Sequence, residues 1–414
     1  MTTVPLRDQH VVIFHRWQDA FADYRRYLDH EANRVTYLTT PVSRGAVPPG
    51  AAEVVTVADT QNGAAVRAAL AGPVARHGVP AAVVALQEGD FAVVAELRAE
   101  FGALGRGPAD LHRFLHKHAM LEAARATGVE VPAYELVTST AQLSRFAARA
   151  GWPVITKQMY GGASKGVRQV NSWAELPAVS GTLLAQQHLP YRVYHVDGVW
   201  DGARLGPWRL SEYLNAPGTT TYGCLPFTWG EPVGSVEVDD PVRLRVVGEF
   251  LDRLIPGMSV APWTFHLEVF LTDDAVPRCV FLEVGARPGG ADVPFIWREV
   301  HGIDLMEWEF ALQCETVLPV PEALPGIGGW LLVPLTAPRP CRVAASRSML
   351  GSTPALYAEA VPPPGTVIPA SDASYELVGG RFRFRGTSTA DVAAQIHATA
   401  AAYRVHCEPL AEAA

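Results

Sequence analysis

The sequence predicts an α/β protein, α+β in places, laid out in three regions: a doubly wound domain over 1–110, a central domain over 111–325 and a small C-terminal α+β module over 326–414. Three observations carry this. Short apolar runs alternate with helical ones over the first hundred residues, which is the pattern of a parallel sheet with crossover helices. From about residue 108 the style changes to capped helices and strand pairs joined by glycine-rich or acidic turns. A proline- and glycine-marked stretch, "PVPEALPGIGG", then separates the last module. A chain of 414 residues has ample core for this division.

In order, "HVVIFH" (10–15), "RVTYLTT" (34–40), "EVVTVA" (53–58) and "AAVVALQ" (81–87) read as buried strands. "DAFADYRRYLDHEA" and "NGAAVRAALAGPVARHG" between them have helical spacing. No GxGxxG follows the first strand, so a dinucleotide site is not indicated and the domain reads as scaffold and cleft wall. "ADLHRFLHKHAMLEAARATG" reads as one helix ending at Gly128. Ser139 and Gln142 stand at capping-box spacing before a helix that stops at Gly151, and Ser172 with Glu175 repeats the signal. "WPVITKQM" is a strand, "YGGASKG" a loop and "VRQV" the returning strand, while "GTLLAQQHL" and "YRVYHVDGVWDG" read as a strand, a turn and a hairpin. Residues 203–235 look irregular. "DPVRLRVVGEFLDRLIPG" is a helix, "TFHLEVFL" and "RCVFLEVGA" are strands joined by the turn "TDDAVP", and "VHGIDLMEWEFALQCE" closes the region with a helix. The last module holds the strands "WLLVPLTA" and "RFRFRG" and the helix "TADVAAQIHATAAAYRV".

The totals exclude several classes. With 49% hydrophobic and 18% charged residues the chain has the composition of a globular enzyme, and a net charge of −8 without a Lys/Arg tract argues against nucleic acid as a partner. The N-terminus lacks a signal-peptide layout, and no apolar run reaches the roughly 18 residues that a membrane span needs. Cys224, Cys279, Cys314, Cys341 and Cys407 are dispersed, with no zinc-type spacing, which fits reduced thiols in a cytoplasm.

The chemistry concentrates in a few residues. In "TFHLEVFL" the period of two puts His266, Glu268 and Phe270 on one face, and in "VFLEVGA" it puts Phe281, Glu283 and Gly285 together. Paired as a hairpin, the strands set Glu268 opposite Glu283, and two facing carboxylates repel unless a cation joins them. Oxygen-only ligands suit Mg²⁺. Lys157 sits in an otherwise apolar strand, where a buried ammonium asks for an anion. The loop that follows has Gly161, Gly162 and Gly166 to let backbone N–H groups approach that anion, with Ser164 adding a hydroxyl. It is not a Walker loop, because Val167 and Arg168 stand where Lys-Ser/Thr would be required.

Taken in order, Lys117 before "GVEVP", Lys157 before a glycine-rich hairpin, "LLAQQHL", then Glu268 and Glu283 with "ARPGG" resemble the ATP-grasp superfamily over nearly the whole chain. "LEVGARPGG" and "GIGGWLLVPL" look most like its L-amino acid ligases and related carboxylate–amine ligases. The resemblance implies a Rossmann-like pre-ATP-grasp domain over 1–110, and an ATP-grasp domain with a lid over about 130–190 and a metal and substrate part over about 191–325. It implies that Lys117 and Lys157 contact ATP phosphates, that Gly161–Gly166 closes over them, and that Gln186 lies near the adenine amino group. Glu268 and Glu283 would ligate one or two Mg²⁺ ions, for which Mn²⁺ could substitute, and Arg287 would hold the transferred phosphoryl group. The chain departs from the family pattern at Val193, where a ribose-binding Glu is frequent, and at Gly285, where an Asn is usual.

The implied activity joins a carboxylate, an amino acid or a relative of one, to an amine through an acyl phosphate, releasing ADP and phosphate, as in natural-product pathways; a homodimer is the family-level expectation. Two alternatives stay open: a carrier-bound or non-amino-acid acceptor, and a non-catalytic ATP-binding protein. The segment 211–229 is a candidate wall of the amine pocket. His188, His195, His266 and His301 each read first as hydrogen-bonded structural histidines, and His266 is the best candidate base of the four because it shares a face with Glu268. Trp263, Phe295 and Trp297 read first as core, and Ala291 after "RPGG" would leave room for a substrate side chain.

Overall fold

The computed structural model describes residues 3–17, 21–162, 166–216, 223–259, 261–319, 322–370 and 378–410. Strands β1 (His10–His15), β2 (Arg34–Thr39), β3 (Glu53–Thr56) and β4 (Ala82–Ala85) form the expected parallel sheet in the order β3-β2-β1-β4. β1 and β4 are buried throughout, as parallel strands covered on both faces must be. Of the helix expected over 19–32, the described part keeps one turn, α1 (Tyr24–Tyr27). It stops because the Asp29 carboxylate accepts from the backbone N–H groups of Glu31 and Ala32, a local turn that competes with helix. Helices α2 (Gly63–His77) and α3 (Phe91–Phe101) complete the crossovers.

His15, at the carboxyl end of β1, is 3% exposed, with the Trp17 backbone beside its ring. Burial pushes its pKa down to about 4, so the fold holds the neutral imidazole and the unfolded chain takes up the proton first. Stability is therefore complete above the ordinary histidine pKa and falls as pH drops toward the folded value. Between pH 7 and pH 5 the loss through this group is about 2 kcal/mol. His15→Leu is expected to flatten the pH dependence of urea unfolding by that amount; an unchanged slope would mean that the imidazole is solvated.

The helix expected over 109–128 is broken into α4 (Pro108–Leu115) and α5 (Lys117–Ala126). His116 leaves helical geometry at φ −97°, ψ 106°, and its ring nitrogen accepts from Ala119 N, so that Lys117 becomes the first residue of a new helix. Next come β5 (Tyr134–Val137), α6 (Thr140–Ala150), β6 (Val154–Lys157), β7 (Arg168–Val170) and β8 (Leu183–Gln187), an antiparallel sheet ordered β5-β8-β6-β7. Ser139 caps α6 as expected, while Gln142 reaches back to Thr138 N rather than to Ser139. At 172–175 the expected helix is a single 3₁₀ turn, because Glu175 folds back onto Asn171.

The chemistry lies on a larger sheet. Its strands are β9 (Arg192–Trp200), β10 (Leu205–Leu214), β11 (Val233–Glu237), β12 (Trp263–Leu271), β13 (Cys279–Gly285) and β14 (Ile327–Pro334). After β15 (Cys341–Ala345) come β16 (Leu356–Ala360), β17 (Val367–Ile368), β18 (Val378–Gly386) and β19 (His406–Pro409). The hydrogen-bonded order is β13-β12-β9-β10-β11-β14-β18-β16, with β17-β15-β19 as a separate small sheet. Helices α7 (Pro241–Met258), α8 (Val293–Val300), α9 (Leu305–Gln313) and α10 (Thr389–Ala402) cover it.

One sequence reading holds only in part here. Among the described residues the stretch 203–235 supplies β10 and the start of β11 on either side of a short 3₁₀ turn at Leu225–Trp229, and buried polar residues such as Ser211 and Ser235 break the apolar pattern of a strand. Asp197 and Gly198 lie in the middle of β9, and the hairpin read over 191–202 turns after Trp200 into β10. A Cβ on Gly198 would lie 2.6 Å from Phe265 Cζ, so glycine is there for packing. Among the described residues no helix is long and apolar enough to cross a membrane, and all five cysteines are free thiols.

Candidate active site

Strands β12 and β13 pair antiparallel and bring Glu268 directly opposite Glu283. Just beyond that pair β13 bulges by one residue, Leu282, so Val269 faces Phe281. Phe281 is therefore turned into the core with Leu267 and Val284, not onto the Glu283 face as strict alternation requires. Burial and the Glu283 carboxylate push the Glu268 carboxyl above the ordinary range. Burial works to raise Glu283 as well, but Lys157 and then Lys117 hold it below. The Tyr213 hydroxyl donates to Glu268 Oε1 at 2.7 Å. A repelling pair of acids, half-buried and open to the cleft, is a donor set that a divalent cation satisfies.

Cations converge on the same spot. Lys157 ends β6 and is 7% exposed; burial lowers its pKa, and the Glu283 carboxylate opposes that most. Lys117 Nζ donates to the Gly161 carbonyl, while its backbone N–H donates to Met159 O at 2.9 Å, which ties α5 to the glycine loop. Gly161 (φ 112°) and Gly166 (φ 70°) occupy left-handed backbone that other residues rarely adopt. Gly162 lies beside them; Ser164 and Lys165 fall outside the described residues. Gln186, on β8, is 2% exposed and its buried Oε1 has no hydrogen-bond partner among the described residues, leaving an acceptor for a ligand amino group. Val193 is 4% exposed in an apolar cluster with Tyr213 and offers no hydrogen bond.

Arg287 follows β13, and its Nε donates to Glu88 Oε2 at 2.6 Å, a contact from the N-terminal sheet. Asp197, at 1% exposure, accepts from His195 Nδ1 at 2.7 Å and from His266 Nδ1 at 2.8 Å, and the other ring nitrogen of His195 meets Ser235 Oγ at 2.7 Å. These three side chains could also group round a metal ion, but hydrogen bonds already account for their spacing. Burial opposes ionisation of Asp197, yet the two imidazoles hold its carboxyl below the ordinary range. Burial lowers the pKa of His188, and His301 is tied to Glu237 at 2.7 Å. Trp263 and Trp297 are core, while Phe295 packs on Phe21 with Arg381 and Arg383 over its ring. Of the segment 211–229, residues 217–222 lie outside the described residues; Tyr213 and Cys224 border Glu268.

The sequence reading missed Glu88, Asp197 and Tyr213. A carboxylate just past the end of a strand of a parallel sheet sits at the edge where such sheets bind ligands, and that signal was available for Glu88. Tyr213 lies on β10, in a stretch whose sequence reads as irregular, and Asp197 lies on β9 with no motif around it.

The fold matches several solved enzymes over nearly the whole chain. An L-amino acid ligase from Bacillus licheniformis superposes with a TM-score of 0.72 at 14% identity, covering 98% of this chain and 100% of that one. The N5-carboxyaminoimidazole ribonucleotide synthetase of Thermotoga maritima gives 0.67 at 15% identity, covering 97% and 100%. The biotin carboxylase domain of the Hydrogenobacter thermophilus 2-oxoglutarate carboxylase, bound to MgADP and bicarbonate, gives 0.70 at 13%, covering 96% and 91%. The chain has the ATP-grasp fold. In sequence it is 32% identical over 229 residues to an uncharacterized protein, y4rH, of Sinorhizobium fredii (strain NBRC 101917 / NGR234), a match spanning 55% of this chain and 47% of that protein. No protein-family model matches the sequence.

Proposed function

We propose that this ATP-grasp protein is an ATP-dependent carboxylate–amine ligase working through an acyl phosphate. One observation carries the reading: Glu268 and Glu283 face each other across β12 and β13, with Lys157 and Lys117 acting on the pair and Arg287 beside it. The carboxylates would hold Mg²⁺, which when bound neutralises phosphate charge. Lys157 and Lys117 draw the ATP phosphates toward them, the glycines Gly161, Gly162 and Gly166 let backbone approach the nucleotide, and Gln186 Oε1 accepts from the adenine amino group. A substrate carboxylate oxygen attacks the γ-phosphorus, the bond to the ADP oxygen breaks, and the acyl phosphate forms under Arg287. An amine then attacks the acyl carbon, inorganic phosphate leaves, and the amine gives up a proton. No protein nucleophile takes part. Likeness to an L-amino acid ligase supports an amino acid, or an acid of that kind, as one substrate.

The test uses ATP, Mg²⁺ and each proteinogenic amino acid, alone, in pairs, and with hydroxylamine to trap acyl phosphate as hydroxamate. ADP, phosphate and hydroxamate are expected to appear in step. AMP instead of ADP, or turnover indifferent to any carboxylate, would overturn the proposal.

A further inference from the structure

We propose that Glu88 is the seat for the ammonium group of an α-amino acid that serves as acyl donor, and so decides which carboxylates the site accepts. This rests on the ligase reading above and deepens it. Glu88 belongs to neither the carboxylate pair nor the phosphate-binding lysines. It arrives from the carboxyl edge of the N-terminal sheet, three residues beyond Ala85 at the end of β4. Its Oε2 lies 3.5 Å from where a Cβ on Gly285 would stand and 3.8 Å from the same point on Gly162. The carboxylate therefore sits between the metal strand and the glycine loop, against backbone that carries no side chain on either side. Its side chain is 25% exposed and that of Arg287 21%, so the pair opens to the cleft rather than to bulk solvent or to sealed core.

The argument is one of charge. In the absence of substrate, Arg287 neutralises Glu88 at 2.6 Å. Once the guanidinium takes a phosphoryl group or a substrate carboxylate, Glu88 faces that new anion with no cation of its own. A half-buried carboxylate beside a phosphate is repelled unless a positive group enters with the substrate. A substrate ammonium supplies it. Because Glu88 and the anion share one guanidinium, the ammonium has to lie a bond or two from the reacting carboxyl. An α-amino acid has that spacing. A carboxylate lacking the amino group leaves Glu88 unpaired, which is how a polar site rejects an analogue missing one hydrogen-bonding group.

The experiment compares the wild-type chain with Glu88→Gln and Glu88→Asp, using L-leucine and 4-methylpentanoate as donors and hydroxylamine as the trap. The preference for L-leucine in kcat/KM is expected to fall about 30-fold in Glu88→Gln, mainly through KM, and to be partly kept in Glu88→Asp. If both donors slow together with their ratio held within about threefold, Glu88 merely props Arg287 and the proposal falls. If the donor ratio holds while KM for an amino acid used as acceptor rises about tenfold, the ammonium belongs to the acceptor and the donor assignment is wrong. Melting temperature with ADP and Mg²⁺ gives a readout free of turnover. A rise with L-leucine but not 4-methylpentanoate, lost in Glu88→Gln, upholds the seat even if no hydroxamate forms and the ligase reading fails. No rise with either compound, in a chain that forms no hydroxamate, overturns both.

Discussion

Glu283→Ala is expected to lower ATP-dependent hydroxamate formation at least about 10³-fold without unfolding the chain. Two effects on stability oppose each other. Lys157, 7% exposed, loses the anion that does most to keep it charged, which is costly for a buried ammonium. Glu268 is at the same time relieved of the like charge that raises its pKa, and it keeps the Tyr213 hydroxyl at 2.7 Å. The melting temperature should therefore move by only a few degrees while turnover collapses. Glu283→Gln, which keeps the shape, should be nearly as inactive, because a neutral amide cannot share a divalent cation with Glu268. Added Mg²⁺ should not rescue either variant. Retention of more than about a tenth of wild-type turnover would mean that the carboxylate pair is not the metal seat.

What could be read from the sequence follows from how local each feature is. The parallel strands β1 and β4 were legible because burial on both faces leaves continuous apolar runs. The opposition of Glu268 and Glu283 was legible because a hairpin turn and a period of two fix register over a few residues. The bulge at Leu282 was not, since nothing in "VFLEVG" marks an extra residue, and it turned Phe281 to the other face. The break at His116 was hidden because a histidine ring can cap a helix as a serine does, although the sequence reads as unbroken helix. Asp197 carries no local mark of its role, since an Asp-Gly pair favours a turn unless tertiary partners hold it in a strand. Here two imidazoles and the Phe265 ring supply those partners. Glu88 reaches Arg287 across 199 positions of chain, a separation that no local pattern encodes.

The glycines after Arg287 are open to two explanations, substrate approach and packing, and Gly289→Ala separates them. A Cβ at Gly289 would lie 2.4 Å from Asp197 Oδ1, 3.0 Å from His266 Nδ1 and 3.0 Å from Val293 Cγ1. None of these can move cheaply: Asp197 is buried and tied to both histidines, and Val293 begins α8. At Gly290 the added Cβ would meet nothing within 4 Å. Packing therefore predicts a strong asymmetry. Gly289→Ala should cost about 1–3 kcal/mol of stability and lower turnover on the order of 10²-fold, by displacing His266 and the strand that carries Glu268. Gly290→Ala should cost little stability, and its turnover should stay within about threefold of wild type. Melting temperature and hydroxamate formation measured on both variants decide between the two. If Gly290→Ala loses turnover while keeping its melting temperature, a substrate runs along the Gly290 backbone. If Gly289→Ala alone fails, the glycine is there to seat the Asp197–His266 pair behind the reacting groups.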